Sequence, residues 1–231
     1  MVTAQRPPPS AARAALQSVV STVLLTGFDA FGGERINPSW LSVQALHGRR
    51  IAGHRVVTAQ LPTVFDESLH VLRGLLKQYR PALVICVGQA GGRSALSLER
   101  VAINVNDARI ADNAAAQPVD TPVIPDGPAA YFTTLPIKAM LLTLRQAGVT
   151  AEVSQTAGTF VCNHVFYGLM HLLATQRGFK RTRGGFIHVP YLPEQGAPSM
   201  ALEDMVRGLR LALRCALVTQ HDIARGAGAI S

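Results

Sequence analysis

Short apolar segments alternate with amphipathic segments along most of the chain, and this alternation limits the folds that the sequence can adopt. Leu69, Leu72 and Leu76 recur at helical spacing between two apolar stretches, and Asn37 followed by Pro38 is typical of a helix start. The predicted strands are 19–25, 54–61, 82–88, 98–105, 151–155 and 185–189, and the predicted helices are 38–46, 65–79, 135–147, 162–176 and 199–220. Apolar strands that alternate with helices are typical of an α/β fold, and we predict a three-layer αβα sandwich around a mainly parallel twisted sheet.

A length of 231 residues fits a single α/β domain. Residues 1–16 are rich in Pro and Ala without a usable period, so we predict a flexible N-terminal extension followed by a single α/β domain over 17–231. Residues 106–128 are rich in Asp, Ala and Pro and lack a strand or helix pattern. A loop of that length inside a compact domain is often functional.

Charge and composition disfavour several classes of protein. The net charge is +8, but the basic residues are scattered and aromatic residues make up only 6% of the chain, so we expect no nucleic-acid binding. No apolar run reaches the roughly 18 residues of a membrane span, and we expect no membrane association. Three cysteines do not form a disulfide framework, and we see no secretory signal, so the expected location is cytoplasmic.

Cys162 is the cysteine best placed for chemistry. It lies at the predicted start of a helix, where free N–H groups and the helix dipole favour a thiolate and could also hold an oxyanion. Gly158 allows the chain to turn tightly into that helix. Cys86 lies within an apolar strand and Cys215 within a helix, and both are expected to be inert packed thiols.

A thiol nucleophile needs a base, and His188 is the favoured candidate because it ends an apolar strand near the expected position of Cys162. His164 is two residues after Cys162, so on one helix it points about 200° away around the axis. A Cys-x-His metal site lacks a second pair of ligands, and we predict no metal and no cofactor.

A carboxylate usually orients the imidazole of such a pair. Glu99, Asp107 and Asp112 are all possible from the residues alone. Phe28, Phe31 and Phe160 lie in loops predicted to face the site, where they could either anchor the loops or form an apolar pocket for a small, flat, uncharged group.

Four segments of the sequence resemble the cysteine-type pyroglutamyl peptidases, also called pyrrolidone carboxyl peptidases. They are Thr26-Gly-Phe-Asp-Ala-Phe-Gly-Gly with Asn37-Pro-Ser, Gly88-Gln-Ala-Gly-Gly-Arg with Glu99-Arg-Val-Ala-Ile-Asn, Ser154-Gln-Thr-Ala-Gly-Thr-Phe-Val-Cys-Asn-His, and His188-Val-Pro-Tyr-Leu-Pro. The segments follow the family order, and the resemblance covers about residues 22–220. The family often has Pro where this chain has Ala30.

The resemblance implies a cysteine exopeptidase that removes N-terminal pyroglutamate from peptides. It implies a catalytic triad of Glu99, Cys162 and His188, and thereby selects Glu99 over the two aspartates. It also implies substrate contacts, which fall on Phe28, Phe31, Asn37, Gln89, Phe160 and Val161. The implied enzyme is cytoplasmic, needs no cofactor and forms homo-oligomers, often tetramers.

Two other classes of function are alternatives to this one. A non-catalytic module could bind pyroglutamyl groups on the same fold, but an intact Cys, His and Glu set argues against it. A nucleoside phosphorylase-like transferase would need a phosphate site, for which Arg93 and Arg109 are the only obvious cations.

Overall fold

The strands and helices of the protein follow the predicted alternation. A computed structural model describes residues 21–227, so the predicted extension 1–16 and the first residues of the predicted strand 19–25 lie outside the described residues. The strands are β1 (Thr22–Phe28), β2 (Arg50–Ile51), β3 (His54–Leu61), β4 (Leu83–Gln89), β5 (Leu96–Glu99), β6 (Val101–Ile103), β7 (Ala130–Phe132), β8 (Ala151–Ser154) and β9 (Arg183–Val189). The helices are α1 (Pro38–Gln44), α2 (Phe65–Tyr79), α3 (Ile137–Gln146), α4 (Val161–Thr175) and α5 (Leu202–Val218), with a 3₁₀ turn at Arg177–Phe179.

Seven strands form the main sheet in the order β2-β3-β1-β4-β9-β5-β8. The four central strands β3, β1, β4 and β9 are parallel to one another. β5 runs antiparallel to β9, β8 runs parallel to β5, and β2 runs antiparallel to β3. The predicted mainly parallel sheet is therefore confirmed, with reversed strands at its two sides.

Helices cover both faces of this sheet, which confirms the three-layer arrangement. β4 shows why: successive side chains of a strand point to opposite faces. Leu83, Ile85 and Val87 pack with α1, α3 and α5, whereas Val84 and Cys86 pack with α2 and α4. Because both faces are covered, all residues of β4 are buried.

Side chains at the helix starts stabilise the helices as their chemistry predicts. Asn37 caps α1 by accepting from the Ser39 N–H at 3.0 Å, with Pro38 in the first turn. α2 and α3 lack a cap from their own N-cap side chain. Asp112 accepts from the Phe65 N–H at 3.0 Å, and Asp222 accepts from the N–H groups of Lys138 and Ala139, so distant carboxylates cap these two helices.

The predicted strand 98–105 is wrong as one element. The chain leaves the main sheet at Arg100, whose N–H donates to Ser154 in β8 and whose carbonyl accepts from Thr133. β5 therefore ends at Glu99, and β6 pairs with β7 in a separate two-stranded sheet. β2 and β7 were not predicted, because segments of two or three residues carry no readable period.

Residues 106–128 form the long loop that the sequence predicts, with a single isolated bridge between Asn106 and Thr121. The Asp112 carboxylate fixes this loop by accepting from the N–H groups of Phe65, Ala114 and Ala116. Between residues 21 and 227, no helix is both long and apolar enough to cross a lipid bilayer.

Candidate active site

Cys162 is the second residue of α4, at the helix start that the sequence predicts. Gly158 has φ of +75°, a left-handed conformation that favours glycine, and it turns the chain from β8 into the helix. Phe160 at the N-cap of α4 provides no side-chain cap, and no other side chain among residues 21–227 accepts from the first N–H groups of this helix, so these groups can bind a ligand. Cys162 is partly exposed, whereas Cys86 and Cys215 are buried.

The sulfur of Cys162 lies directly over Gly88 in the sheet. A Cβ atom placed on Gly88 would be 2.7 Å from Cys162 Sγ and 2.8 Å from Phe186 Cζ. Gly88 is the register partner of His188 in the neighbouring parallel strand. The absence of a side chain at residue 88 therefore leaves room for the thiol beside His188.

The sheet register also brings Glu99 to His188. Ser97 of β5 is opposite His188 of β9, so Glu99, two residues further along β5, has its side chain on the same face as His188. Glu99 Oε1 lies 2.8 Å from His188 Nδ1, and both side chains are buried. The three residues that the resemblance implies as a triad thus share one face of the sheet.

The Glu99 carboxylate has a second partner in Arg93, which follows β4. Arg93 donates from Nη1 to Glu99 Oε1 at 2.7 Å and from Nη2 to the Thr156 carbonyl at 3.2 Å. Arg93 is therefore committed to Glu99, which removes one of the two cations considered for a phosphate site.

Burial and neighbouring charges shift the pKa values of Glu99 and Cys162 in opposite directions. Burial raises the pKa of Glu99, but the hydrogen bond and charge of His188 and the hydrogen bond from Arg93 bring that pKa below its ordinary value. Burial raises the pKa of Cys162 to about 12, the charges of Glu99 and Cys86 also raise it, and the charge of Arg93 lowers it. Burial and the charge of Glu99 therefore act against the thiolate that the helix start favours.

Two of the rival side chains have partners elsewhere, and the third is exposed. Asp112 fixes the loop and α2, and Asp107 is exposed in the same loop. His164 Nδ1 lies 2.9 Å from Asn106 Oδ1, its ring packs edge-on against Phe65, and burial lowers its pKa to about 4. Among residues 21–227, no group of three His, Cys, Asp or Glu side chains is arranged to hold a metal ion.

Aromatic side chains lie next to the predicted nucleophile. Phe31 and Phe160 are partly exposed, and their ring centroids are 6.0 Å apart. Phe65 packs edge-on against Phe160 at 5.5 Å and supports it from behind. Phe28 and Val161 are buried, and Phe28 packs against Phe186. Phe31 and Phe160 are thus the members of this set that a ligand can reach.

The two polar residues of the implied pocket already have partners in the protein. Asn37 caps α1 and donates to the Asp29 carbonyl at 2.8 Å, so its carboxamide holds the loop that carries Phe31. Gln89 is buried, and its Oε1 accepts from Gln195 at 3.2 Å.

Sequence reasoning did not identify Gly88, Arg93 or Phe65 as parts of this site. Gly88 and Arg93 belong to a glycine-rich segment after a strand, which was a usable signal for a site-forming loop. No sequence pattern marks Phe65 as part of the site, because its position behind Phe160 depends on how α2 packs against α4.

Comparisons with known proteins identify the family of the chain. The family model described as pyroglutamyl peptidase matches residues 21–219. The chain is 61% identical over 212 residues to the pyrrolidone-carboxylate peptidase of Cupriavidus taiwanensis. The aligned region covers 90% of this chain and 98% of that protein. It is 53% identical to the pyrrolidone-carboxylate peptidase of Bacillus cytotoxicus over 90% of this chain and 99% of that protein.

Solved structures extend the similarity to the fold. The crystal structure of pyroglutamyl peptidase I from Bacillus amyloliquefaciens matches with a TM-score of 0.87 and 50% identity, covering 89% of this chain and 99% of that one. A mutant pyrrolidone carboxyl peptidase from the hyperthermophile Pyrococcus furiosus matches with a TM-score of 0.82 and 41% identity, covering 85% and 98%. On the family match and these identities over nearly the whole chain, the protein belongs to the pyroglutamyl peptidase family.

Proposed function

We propose that this chain is a cysteine exopeptidase, an omega peptidase, that hydrolyses the N-terminal pyroglutamyl residue from peptides through a thioester intermediate. The observation that carries the proposal is the convergence of Cys162 Sγ, His188 and Glu99 around Gly88. The names of the relatives support the substrate class.

The hydrogen bond to Glu99 assigns the roles of the two ring nitrogens of His188. An ionised carboxylate only accepts hydrogen bonds, so His188 Nδ1 carries a proton and Nε2 is the nitrogen that can act as base. Glu99 also stabilises the imidazolium that forms when Nε2 takes up a proton.

Cys162 and His188 share one proton, either on the thiol or as a thiolate and imidazolium pair, and burial, which raises the pKa of Cys162, favours the form with the proton on sulfur. His188 removes this proton as the sulfur attacks the pyroglutamyl carbonyl carbon. The oxyanion forms near the free N–H groups at the start of α4. Collapse to the thioester expels the amine, which takes the proton from His188, and water then hydrolyses the thioester with His188 as base.

Specificity follows from the charge and shape of the pyroglutamyl ring. The lactam carries no charged α-amine, so it can enter a pocket beside Phe31 and Phe160 at a lower desolvation cost than an ordinary N-terminus. A site that hydrogen-bonds the ring carbonyl should discriminate against proline, which lacks it, by roughly 10⁴-fold.

We extend the proposal to a cytoplasmic homotetramer that needs no cofactor, as the family resemblance implies. Light scattering of the purified chain tests the tetramer, and a monomer at assay concentration would contradict it.

The activity is tested by the release of aminocoumarin from pyroglutamyl-aminocoumarin, with prolyl-aminocoumarin measured beside it. We expect cleavage of the pyroglutamyl substrate only, complete loss of cleavage after iodoacetamide, and complete loss in Cys162→Ser with the fold retained. Cys215→Ser is the matched control, because that thiol is buried in α5 and should be dispensable. Activity in Cys162→Ser would refute the nucleophile, and no cleavage by the folded wild type would refute the function.

A further inference from the structure

Arg93 connects the end of β4 with the ends of β5 and β8 through its hydrogen bonds. It follows β4, and its guanidinium extends to Glu99 at the end of β5 and to Ser154 and Thr156 at the end of β8. Its contact with Glu99 Oε1 is 2.7 Å, and the same oxygen lies 2.8 Å from His188 Nδ1. Oε2 of Glu99 is buried and has no hydrogen-bond partner among the described residues. Arg93 and His188 therefore hold one carboxylate oxygen from two sides.

The loop that carries Arg93 is held in place by close packing. A Cβ atom on Gly91 would be 2.3 Å from the Tyr191 ring, so only glycine permits this contact. Gly92 has φ of +81°, a left-handed conformation that favours glycine. The backbone before Arg93 is thus shaped to direct the guanidinium over β9 toward Glu99.

The charge of Arg93 matters because the site must form an anion on Cys162. The ionisable groups that act on the sulfur are Glu99 and Cys86, which oppose a thiolate, and Arg93, which favours one. His188 is the register partner of Gly88, over which the sulfur lies. Without Arg93, Glu99 would be a buried negative charge next to the atom that must become negative. A cation fixed on Glu99 offsets this repulsion without taking the proton that His188 must accept.

We propose that Arg93 is a positioning residue of the site: it fixes Glu99 Oε1 against His188 and neutralises the Glu99 charge, so that the Cys162 thiolate can form. Arg93 acts through Glu99, and its hydrogen-bond partners are Glu99, Ser154 and Thr156. Its loss should therefore lower kcat and leave KM nearly unchanged. This inference rests on the proposed function for its role in turnover, but its electrostatic part concerns the thiol alone.

The test is the rate of Cys162 alkylation by iodoacetamide as a function of pH, followed by mass spectrometry of the peptide that contains Cys162. In Arg93→Met the alkylation profile should shift to higher pH by about one unit, which lowers the rate at neutral pH about tenfold. Arg93→Gln, which removes the charge but keeps a hydrogen-bond donor, should show the same shift and serves if Arg93→Met does not fold. Arg93→Lys keeps the charge and should lie closer to the wild type than either.

Arg100→Met is the matched control. Arg100 is adjacent to Glu99 in sequence, but its guanidinium donates to Gln155 at 2.9 Å. Its alkylation profile should coincide with that of the wild type. A wild-type profile in folded Arg93→Met or Arg93→Gln would overturn the proposal, as would an equal shift in Arg100→Met.

Alkylation does not require turnover, so the two proposals can fail separately. A wild type that never cleaves pyroglutamyl-aminocoumarin, together with a shifted profile in Arg93→Met, would refute the peptidase and retain the electrostatic role of Arg93. Normal cleavage by Arg93→Met with an unshifted profile would retain the peptidase and refute that role.

Discussion

Replacement of Gly88 by alanine should disable the site while leaving most of the fold intact. The added methyl carbon would be 2.7 Å from Cys162 Sγ and 2.8 Å from Phe186 Cζ, whereas non-bonded carbon atoms prefer about 3.5–4.0 Å. Phe186 packs against Phe28, Phe166 and His188, so its ring has little room to retreat. We expect the sulfur to be displaced by about 1 Å, and a misplacement of that size can lower the rate about 10²-fold.

The cost to stability should be smaller than the cost to catalysis. Overpacking of a filled interior typically costs about 1–3 kcal/mol, which a domain of this size can tolerate. The assay is kcat/KM on pyroglutamyl-aminocoumarin, measured together with the free energy of unfolding in urea. Folded Gly88→Ala with wild-type kcat/KM would refute the reasoning, because the sulfur could not then react from its position over Gly88.

Gly74→Ala is the matched glycine control. Gly74 lies within α2, and a Cβ atom there would meet no atom within 4 Å. This substitution should leave kcat/KM unchanged and raise the free energy of unfolding by roughly 0.5–1 kcal/mol, since alanine is the better helix former.

Other side chains give further tests. Glu99→Gln keeps the size of the side chain but removes its charge, so kcat should fall by about 10²-fold or more in the same assay; wild-type kcat would contradict the role of Glu99. Asp112→Ala removes the acceptor of three backbone N–H groups and should lower the free energy of unfolding in urea by about 1–3 kcal/mol, whereas the exposed Asp107→Ala should change it little. Burial lowers the pKa of His164 to about 4 from 6.5, so between these pH values the unfolded chain binds a proton that the folded protein does not. The free energy of unfolding should therefore fall by up to about 3 kcal/mol as the pH drops through that window, and His164→Gln should flatten the fall; equal pH profiles for the two proteins would contradict this.

The sequence was informative wherever local chemistry decides the structure. The period of Leu69, Leu72 and Leu76 gave α2 with its observed ends, and the Asn37-Pro38 pair gave the start of α1. Cys162 was recognisable because it stands at the start of a helix after a glycine turn. These features depend on residues that are neighbours in the chain.

Features that depend on strand pairing could not be read in the same way. Glu99 and His188 meet because β5 runs antiparallel to β9, a direction that the residues of β5 do not encode. The residues alone left Glu99, Asp107 and Asp112 as alternatives, and only the family resemblance selected Glu99. The roles of Gly88 and Arg93 likewise arise from contacts across strands, with Cys162 in one case and Glu99 in the other.

The pKa of Cys162 depends on the assembled core as well as on local structure. A helix start favours a thiolate, but packing against the sheet and the charge of Glu99 act in the opposite direction. The burial of Cys162 arises from contacts between α4 and the sheet, which the residues around Cys162 do not encode.

The most direct test of the central claim is to detect the thioester on Cys162. The wild type is mixed with excess pyroglutamyl-aminocoumarin, quenched in acid within the first turnovers, digested and analysed by mass spectrometry, with Cys215→Ser treated in parallel. We predict that the peptide containing Cys162 gains the mass of one pyroglutamyl group in both proteins and that hydroxylamine removes it. Turnover with the pyroglutamyl group on another residue would contradict the assignment of Cys162 as the nucleophile.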